Sequence, residues 1–157
     1  MSNKKNNKRV GMKYFSFFIL ICSLTTGLLA NFTRSGDVVI DSKTALVWQD
    51  NNDTNTTERI WQESINYCES LSLDGYVDWR LPNINEFKTI IDRGKKGPAI
   101  VDKFKYVRSN IISNFYWTST THASYISNAW VILFYDGYND YYDKRNSFYV
   151  RCVRGGQ

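Results

Sequence analysis

Apolar and polar positions alternate through DVVIDSKTALVWQD, residues 37–50, on either side of a Ser-Lys-Thr-Ala turn. Period-two alternation around a turn predicts a β-hairpin. The pattern changes after the loop DNNDTNTT, where Trp61, Ile65, Cys68 and Leu71 recur at i, i+4, i+7 and i+10. That spacing predicts an amphipathic helix of about fifteen residues, entered through an Asn55–Glu58 capping box and carrying Cys68 on its buried face. GYVDWRLPN then ends on Asn83, which with Glu86 three places on predicts a second capping box. The short helix it starts turns Ile84, Phe87, Ile90 and Ile91 inward. Beyond a basic loop, NFYWTSTT, NAWVILFYDG and SFYVRCVRG are rich in aromatic and β-branched residues and read as strands. In the last of them, alternation puts Phe148, Val150 and Cys152 on one face and Tyr149, Arg151 and Val153 on the other. No internal repeat or long linker interrupts the pattern. The expected unit is a single α+β domain with two helices and a mostly antiparallel sheet.

The first thirty residues break this pattern. Lys4, Lys5, Lys8, Arg9 and Lys13, with no acid among them, precede the apolar run YFSFFILICSLTTGLLA, which ends on Ala30. A basic region, an apolar core and a small residue are the layout of a secretory signal peptide. Residues 1–30 are read as that signal, or as an N-terminal anchor if uncleaved, since Leu28 is bulkier than cleavage prefers. The run is short for a membrane span, which needs ~20 residues. Either reading exports residues 31–157 to a secreted, periplasmic or cell-surface location, and a membrane is contacted only through the N-terminal segment if that segment is uncleaved.

Removing the leader changes the charge and cysteine pictures. The chain has 20 Lys and Arg against 15 Asp and Glu, and the five basic leader residues account for the whole excess. The exported part is neutral, so the basic isoelectric point carries no nucleic-acid reading. One local run stays basic: Arg93, Lys95, Lys96, Lys103, Lys105 and Arg108, against Asp102 alone. It is either a solvated loop or a contact for a polyanion such as a sulfated glycan. Of the three cysteines, Cys22 lies in the leader, which leaves Cys68 and Cys152 as an even pair. In an oxidising compartment they are expected to form a disulfide worth roughly 3 to 5 kcal/mol, two buried thiols being the alternative.

Candidate catalytic chemistry is sparse. His122, the single histidine, lies in TSTTHAS and reads as an exposed loop residue. Ser119, Thr120 and Thr121 beside it point to alternating faces of a strand and do not assemble a nucleophile with its base. One histidine and no free thiol undersupply a transition metal. The acidic loop fails the EF-hand pattern, with Asn55 and Trp61 where glycine and glutamate belong, and leaves Asp50, Asn52 and Asp53 as a weaker calcium set. Asp140 and Asp143 are the one conceivable glycosidase pair, and nothing in the sequence separates them from a solvated loop. No catalytic residue, metal or cofactor is expected. Trp61, Trp79, Trp117 and Trp130 have the regular spacing of core positions, and Trp48 is balanced between core and surface.

The positive signal lies near the C-terminus: Tyr125, Asn128, Tyr135, Asp136, Tyr138, Asn139, Asp140, Tyr141, Tyr142, Asp143, Arg145 and Asn146. Tyrosine gives large, stiff contact area at low entropy cost, and Asn, Ser, Asp and Gly add adaptable hydrogen bonding, the mixture that fills antibody combining sites. These residues are expected to form the ligand-binding surface of a non-enzymatic, adhesin-like domain whose partner is a protein or glycan at a cell surface. The alternative is that the tyrosines merely alternate in and out of a sheet.

The strings DSKTALVWQD, WQESINYCESL, DWRLPN, YWTSTT, NAWVILFYDG and YVRCVRGG, in that order across residues 32–157, resemble the bacterial Lcl C-terminal domain family, also called DUF1566. The resemblance implies a variant of the C-type lectin fold, related to the formylglycine-generating sulfatase-modifying domains that share an RLP motif entering a helix. It also implies a disulfide from the first helix to the last strand, here Cys68 to Cys152. The chain departs from both sets of relatives in its chemistry. Lectins that hold a sugar through calcium use Glu-Pro-Asn and Trp-Asn-Asp ligands, and here Tyr138, Asn139 and Asp140 have no Glu-Pro-Asn partner. The formylglycine-generating relatives work with a pair of active-site cysteines, and the disulfide uses both of those exported here. Some members of the family resemble the variable proteins of diversity-generating retroelements. The Asn, Asp, Tyr, Ser, Ile and Phe richness of residues 124–149 is compatible with such rewriting. A shared fold does not by itself carry a function across.

Overall fold

The computed structural model describes residues 32–109 and 113–155, so the leader expected at 1–30 lies outside the described residues. Strands β1 (Phe32–Ser35), β2 (Val38–Asp41) and β3 (Leu46–Gln49) form an antiparallel meander, and β9 (Val153–Gly155) returns to pair with β3. The expected hairpin at 37–50 is thus the middle of a four-stranded sheet ordered β1-β2-β3-β9. Its turn is closed by buried Asp41, whose carboxylate accepts from the Lys43 amide at 2.9 Å and the Thr44 hydroxyl at 2.6 Å.

The second sheet is ordered β4-β8-β5-β6-β7. It comprises β4 (Glu58–Arg59), β5 (Phe115–Thr121), β6 (Asn128–Leu133), β7 (Tyr138–Asp143) and β8 (Phe148–Tyr149). Its neighbours are antiparallel except β5 and β8, which run parallel.

Three helices stand where two were expected: α1 (Asp53–Thr56) is a single turn within the acidic loop, followed by α2 (Trp61–Ser70) and α3 (Ile84–Ile90). The Asn55–Glu58 capping box does not form, and α2 is ten residues long with Ile60 at its N-cap and no side-chain cap. Glu58 and Arg59 instead pair with Tyr149 and Phe148 in the sheet, and the Trp61 amide donates to the Lys144 carbonyl at 3.1 Å. Sheet pairing across ninety residues of chain overrides the local capping preference. The capping box of α3 does form: Asn83 Oδ1 accepts from the Asn85 and Glu86 amides, both at 2.9 Å, and the Asn83 amide donates to Glu86 Oε2 at 2.8 Å.

The central strands β5 and β6 of the five-stranded sheet are packed on both faces. On one side Phe87 and Ile90 of α3 join Tyr116, Ile132 and Phe134, together with Val39 and Trp48 of the first sheet. On the other, Cys68 of α2 joins Trp79, Phe115, Trp117, Val131 and Leu133. The closing segment threads between these cores. Tyr149 and Val153 enter the first, Val150 and Cys152 the second. Alternation is as expected, but neither face meets solvent. Cys68 and Cys152 are bonded across 84 residues, and Cys152 sits just before β9 and not within it.

The segment DWRLPN holds these layers together. Trp79 and Leu81 are core residues, and the Arg80 backbone makes a reciprocal pair with Val153, both bonds 2.9 Å. The Arg80 guanidinium clamps Glu86 on α3, and the Pro82 carbonyl accepts from the Ser119 amide of β5 at 2.8 Å.

Candidate functional site

The tyrosine-rich segment is the β6–β7 hairpin, and β7 is an edge of its sheet. Gly137 turns the hairpin at φ +76°, and a Cβ there would lie 2.6 Å from Ile91 Cγ2. Only glycine fits both constraints. The Gly97 and Ala99 amides donate to the Tyr135 and Phe134 carbonyls, each at 2.7 Å, and pin the turn of the hairpin to the loop after α3.

Register then divides the candidate residues between two faces. Opposed residues of an antiparallel pair point the same way, and alternate residues point opposite ways. Trp130 opposes Tyr141, Asn128 opposes Asp143 and Ile132 opposes Asn139, so these share the face on which α3 packs. Tyr138, Asp140 and Tyr142 oppose Leu133, Val131 and Ala129 and share the other. The twelve residues expected to make one surface are therefore not on one surface. Tyr142 is half-buried, with its ring 5.0 Å from Phe115 and 5.2 Å from Phe148, and belongs to the scaffold. Tyr135 is also half-buried, with the Lys96 ammonium 5.0 Å above its ring. Asp136 accepts from the Tyr138 amide and Asp140 from the Tyr141 amide, so both carboxylates serve the local backbone. Arg145 and Asn146 are exposed; Arg145 makes two side-chain bonds to Asp143. This contact holds the Asp143 carboxyl down at about 2.

What the α3 face does assemble is a cluster of four rings. His122, just beyond β5, lies 4.1 Å from Tyr141, 5.1 Å from Tyr125 and 5.3 Å from Trp130 between ring centroids. Tyr125 and Tyr141 are nearly parallel, 19° apart at 5.8 Å, and Trp130 meets Tyr141 edge-on at 74°. Tyr125 is 55% exposed and Tyr141 36%, and Ile126 beside them is 79% exposed. His122 is half-buried, not the free loop residue the sequence suggested, and Trp130 is part of this surface and not of the core. His122 Nδ1 accepts from the Ser124 and Tyr125 amides, both at 3.2 Å, and so fixes the loop that carries Tyr125. Strand alternation places Trp130 opposite in sense to Ala129 and Val131, the signal that could have moved it to the surface. The approach of His122 depends on the fold of its loop and has no sequence signature.

The remaining candidates are dispersed or committed elsewhere. Among the basic residues, Lys95 pairs with Asp92 and Asp102. Lys96, Lys105 and Arg108 lean on three different tyrosines, Tyr135, Tyr106 and Tyr149. Arg93 and Lys103 are exposed. Asp50, read as the first residue of a weak calcium set, is fully buried and accepts from Arg34, Arg151 and the amides of Lys105 and Tyr106. Its oxygens are spent on the protein. Asp140 and Asp143 fall on opposite faces of β7, which removes the carboxylate pair as a catalytic unit. His122 takes backbone amides, while the Thr120 hydroxyl accepts from the Ile84 amide and the Thr121 hydroxyl from Lys144. Among the described residues no group of three His, Cys, Asp or Glu is placed to hold a metal ion, and no helix is long and apolar enough to cross a membrane.

A cleft of about 450 Å³ lies between the β2–β3 turn and α3, lined in part by Thr44, Leu46, Asn83, Glu86 and Thr120. Four of its polar lining side chains already serve the fold: Asn83 and Glu86 cap the helix, Thr44 bonds Asp41 and Thr120 bonds Ile84. The ring cluster is the better candidate site.

Fold and surface together define a disulfide-closed α+β domain that displays an aromatic cluster beside a sheet edge. The family model described as the Lcl C-terminal domain matches residues 37–154, and the chain belongs to that family. No curated protein matches it.

Proposed function

We propose that this chain is an exported, non-enzymatic ligand-binding domain whose combining surface is the α3-side face of the β6–β7 hairpin, centred on His122, Tyr125, Trp130 and Tyr141. The observation that carries this reading is the ring cluster itself. Exposed aromatic residues scattered singly are ordinary on a soluble protein, and here Tyr125 and Tyr141 are exposed in contact with each other, with His122 and with Trp130. The scaffold, two cores and a disulfide, keeps the strands beneath that cluster in place without help from the ligand.

Finer features belong to the same proposal. The disulfide from α2 to the closing segment, with two sheets packed about it, supports a C-type lectin-like relation and kinship with the formylglycine-generating domains. An exported location is supported by the disulfide, since such bonds persist in oxidising compartments. Diversification of residues 124–149 by a retroelement would change several residues of the exposed hairpin, and a near-copy of the gene end beside a reverse transcriptase gene is what it requires. The sulfated-polysaccharide alternative through residues 93–108 is supported less, because Lys95 is neutralised and the other cations do not share one partner.

The experiment is a glycan and protein array probed with the wild-type chain and with a Tyr125→Ala/Tyr141→Ala variant. Loss of at least tenfold in signal is expected on the ligand-bearing spots. Equal signal from both chains refutes the surface, and a signal that collapses with added salt while surviving the double substitution assigns binding to the basic segment.

A further inference from the structure

We propose that His122 is a positioning residue that makes the combining surface pH-sensitive: the neutral imidazole holds the loop that carries Tyr125, and protonation lets that loop go. This rests on the combining surface proposed above and adds its regulation.

The loop between β5 and β6 draws little from burial. Residues 123–127 are all exposed, and Tyr125 and Ile126 keep 55% and 79% of their surface in solvent. Hydrogen bonds therefore decide its shape. Its C-terminal end is tied through backbone: the Asn128 amide donates to the Tyr125 carbonyl at 2.8 Å, and the Lys144 amide to the Ser127 carbonyl at 2.9 Å. Its N-terminal side turns on a side-chain atom, His122 Nδ1, which accepts the Ser124 and Tyr125 amides. His122 is itself anchored, since its own amide donates to the Asn128 carbonyl at 2.9 Å and its ring lies among Tyr125, Trp130 and Tyr141.

Nδ1 is an acceptor only while the ring is neutral and its proton sits on Nε2; in the imidazolium both nitrogens donate. Protonation thus removes two hydrogen bonds at once and sets an N–H against two others. A carbonyl or hydroxyl in that place would be indifferent to pH, whereas histidine changes charge in the physiological range. The sign follows: loop order is complete above the titration of a free imidazole and is lost as pH falls. A free imidazole titrates near about 6.5, so at pH 5 its protonated form outnumbers the neutral one about thirtyfold. A loop that needs the neutral ring loses up to about thirtyfold of its ordered population over that interval.

The charged neighbours do not supply this response. On β7, Asp143 opposes Asn128 on the same face, and Arg145 holds its carboxyl down at about 2. On α3, which packs against β5 and β6, the charged residues are Glu86 and Lys88. Against its burial, Glu86 is held below its ordinary value by Arg80 and the Asn83 amide. Lys144, at the far end of the hairpin, donates to the Thr121 hydroxyl at 2.8 Å. Ammonium, guanidinium and phenol groups change charge only above about pH 9. Of these groups and the imidazole, only the imidazole changes charge between about pH 7.5 and pH 5.

The test is a proton–nitrogen NMR titration of the full chain from about pH 7.5 to pH 5, with the glycan and protein array above read at both ends of the range. In the wild type the Ser124 and Tyr125 amides should move with the His122 Hε1 resonance through one shared midpoint. The Trp117 indole N–H, buried and bonded to the Arg59 carbonyl, should stay fixed and so certify the fold. Array signal should fall about tenfold or more at pH 5. His122→Asn is the deciding variant, because an amide oxygen placed near Nδ1 accepts the same amides and does not titrate. Its Ser124 and Tyr125 amides should not respond to pH, and whatever array signal it gives should be equal at both ends. Loop amides that stay fixed while Hε1 titrates, or a fall in array signal of the same size in His122→Asn, overturns the proposal. If Tyr125→Ala/Tyr141→Ala abolishes the array signal while the wild-type signal is equal at both ends, the switch fails and the combining surface stands. If the signal ignores both tyrosines, the surface fails and its regulation with it, even where the loop amides titrate.

Discussion

Tyr141 and Tyr142 are adjacent in sequence and differ in role because one strand residue turns the side chain over. Tyr141 joins an exposed cluster, whereas Tyr142 packs on Phe115 and Phe148. Truncation should separate them: Tyr142→Ala is expected to cost about 2 kcal/mol or more of stability, and Tyr141→Ala less than about 1 kcal/mol. Urea unfolding of the two variants makes the comparison, and equal costs would place both rings in the scaffold. Arg151 is the residue that alternation describes least well. The pattern gives its face and not its depth, and the structure buries it completely between Phe104, Tyr116 and Phe134. Burial pulls its guanidinium down to about 10, so it stays charged at neutral pH. It donates to the Gln49 and Tyr106 carbonyls at 2.5 Å and to Asp50 at 2.9 Å. Arg151→Ala would strand a buried carboxylate with one guanidinium fewer, and a loss of about 3 to 5 kcal/mol is expected in the same unfolding assay.

Among the elements, α3 was readable in advance because its start is decided locally: Asn83, Glu86 and the apolar positions behind them lie within one short segment. Its pH response follows from the same residues. Burial alone would raise the Glu86 carboxyl, but the Arg80 guanidinium and the Asn83 amide outweigh it and hold the group below its ordinary value. A depressed carboxylate contributes stability that is present above its unfolded pKa and disappears as pH falls through the folded one. Melting temperature should therefore fall more steeply from about pH 5 toward pH 3 in the wild type than in Glu86→Gln. Parallel curves would deny the clamp any energetic role. The start of α2 was not readable, because Glu58 and Arg59 are claimed by β8, a partner that no window around Asn55 contains. Composition groups residues 135–146 as one displayed segment, whereas Tyr135 and Tyr142 pack against the second core; the division into two faces needs the β6–β7 register, which composition does not encode. Composition identified Tyr125 and Tyr141 among twelve candidates and left out His122 and Trp130, which complete the cluster.

For the whole molecule, the disulfide is the long-range constraint that the sequence announced most plainly: two cysteines left after the leader, one on a helix face and one near the end of the chain. It ties α2 to the closing segment, which itself touches both cores and both sheets. Closing 84 residues of chain is worth roughly 4 to 5 kcal/mol in the loop-entropy model. A Cys68→Ala/Cys152→Ala variant should lose on the order of that amount in denaturant unfolding. A loss below about 1 kcal/mol would mean that the cores alone set the fold.

The central claim is that this family member binds through one face of its edge hairpin, with Tyr125 and Tyr141 as the contact rings. Its most direct test compares the affinity of wild type, Tyr125→Ala/Tyr141→Ala and Tyr138→Ala for whatever ligand the array returns. The account predicts at least a tenfold loss in the double variant and less than about twofold in Tyr138→Ala, whose side chain lies on the other face. The opposite ranking, or equal affinity in all three, would contradict it.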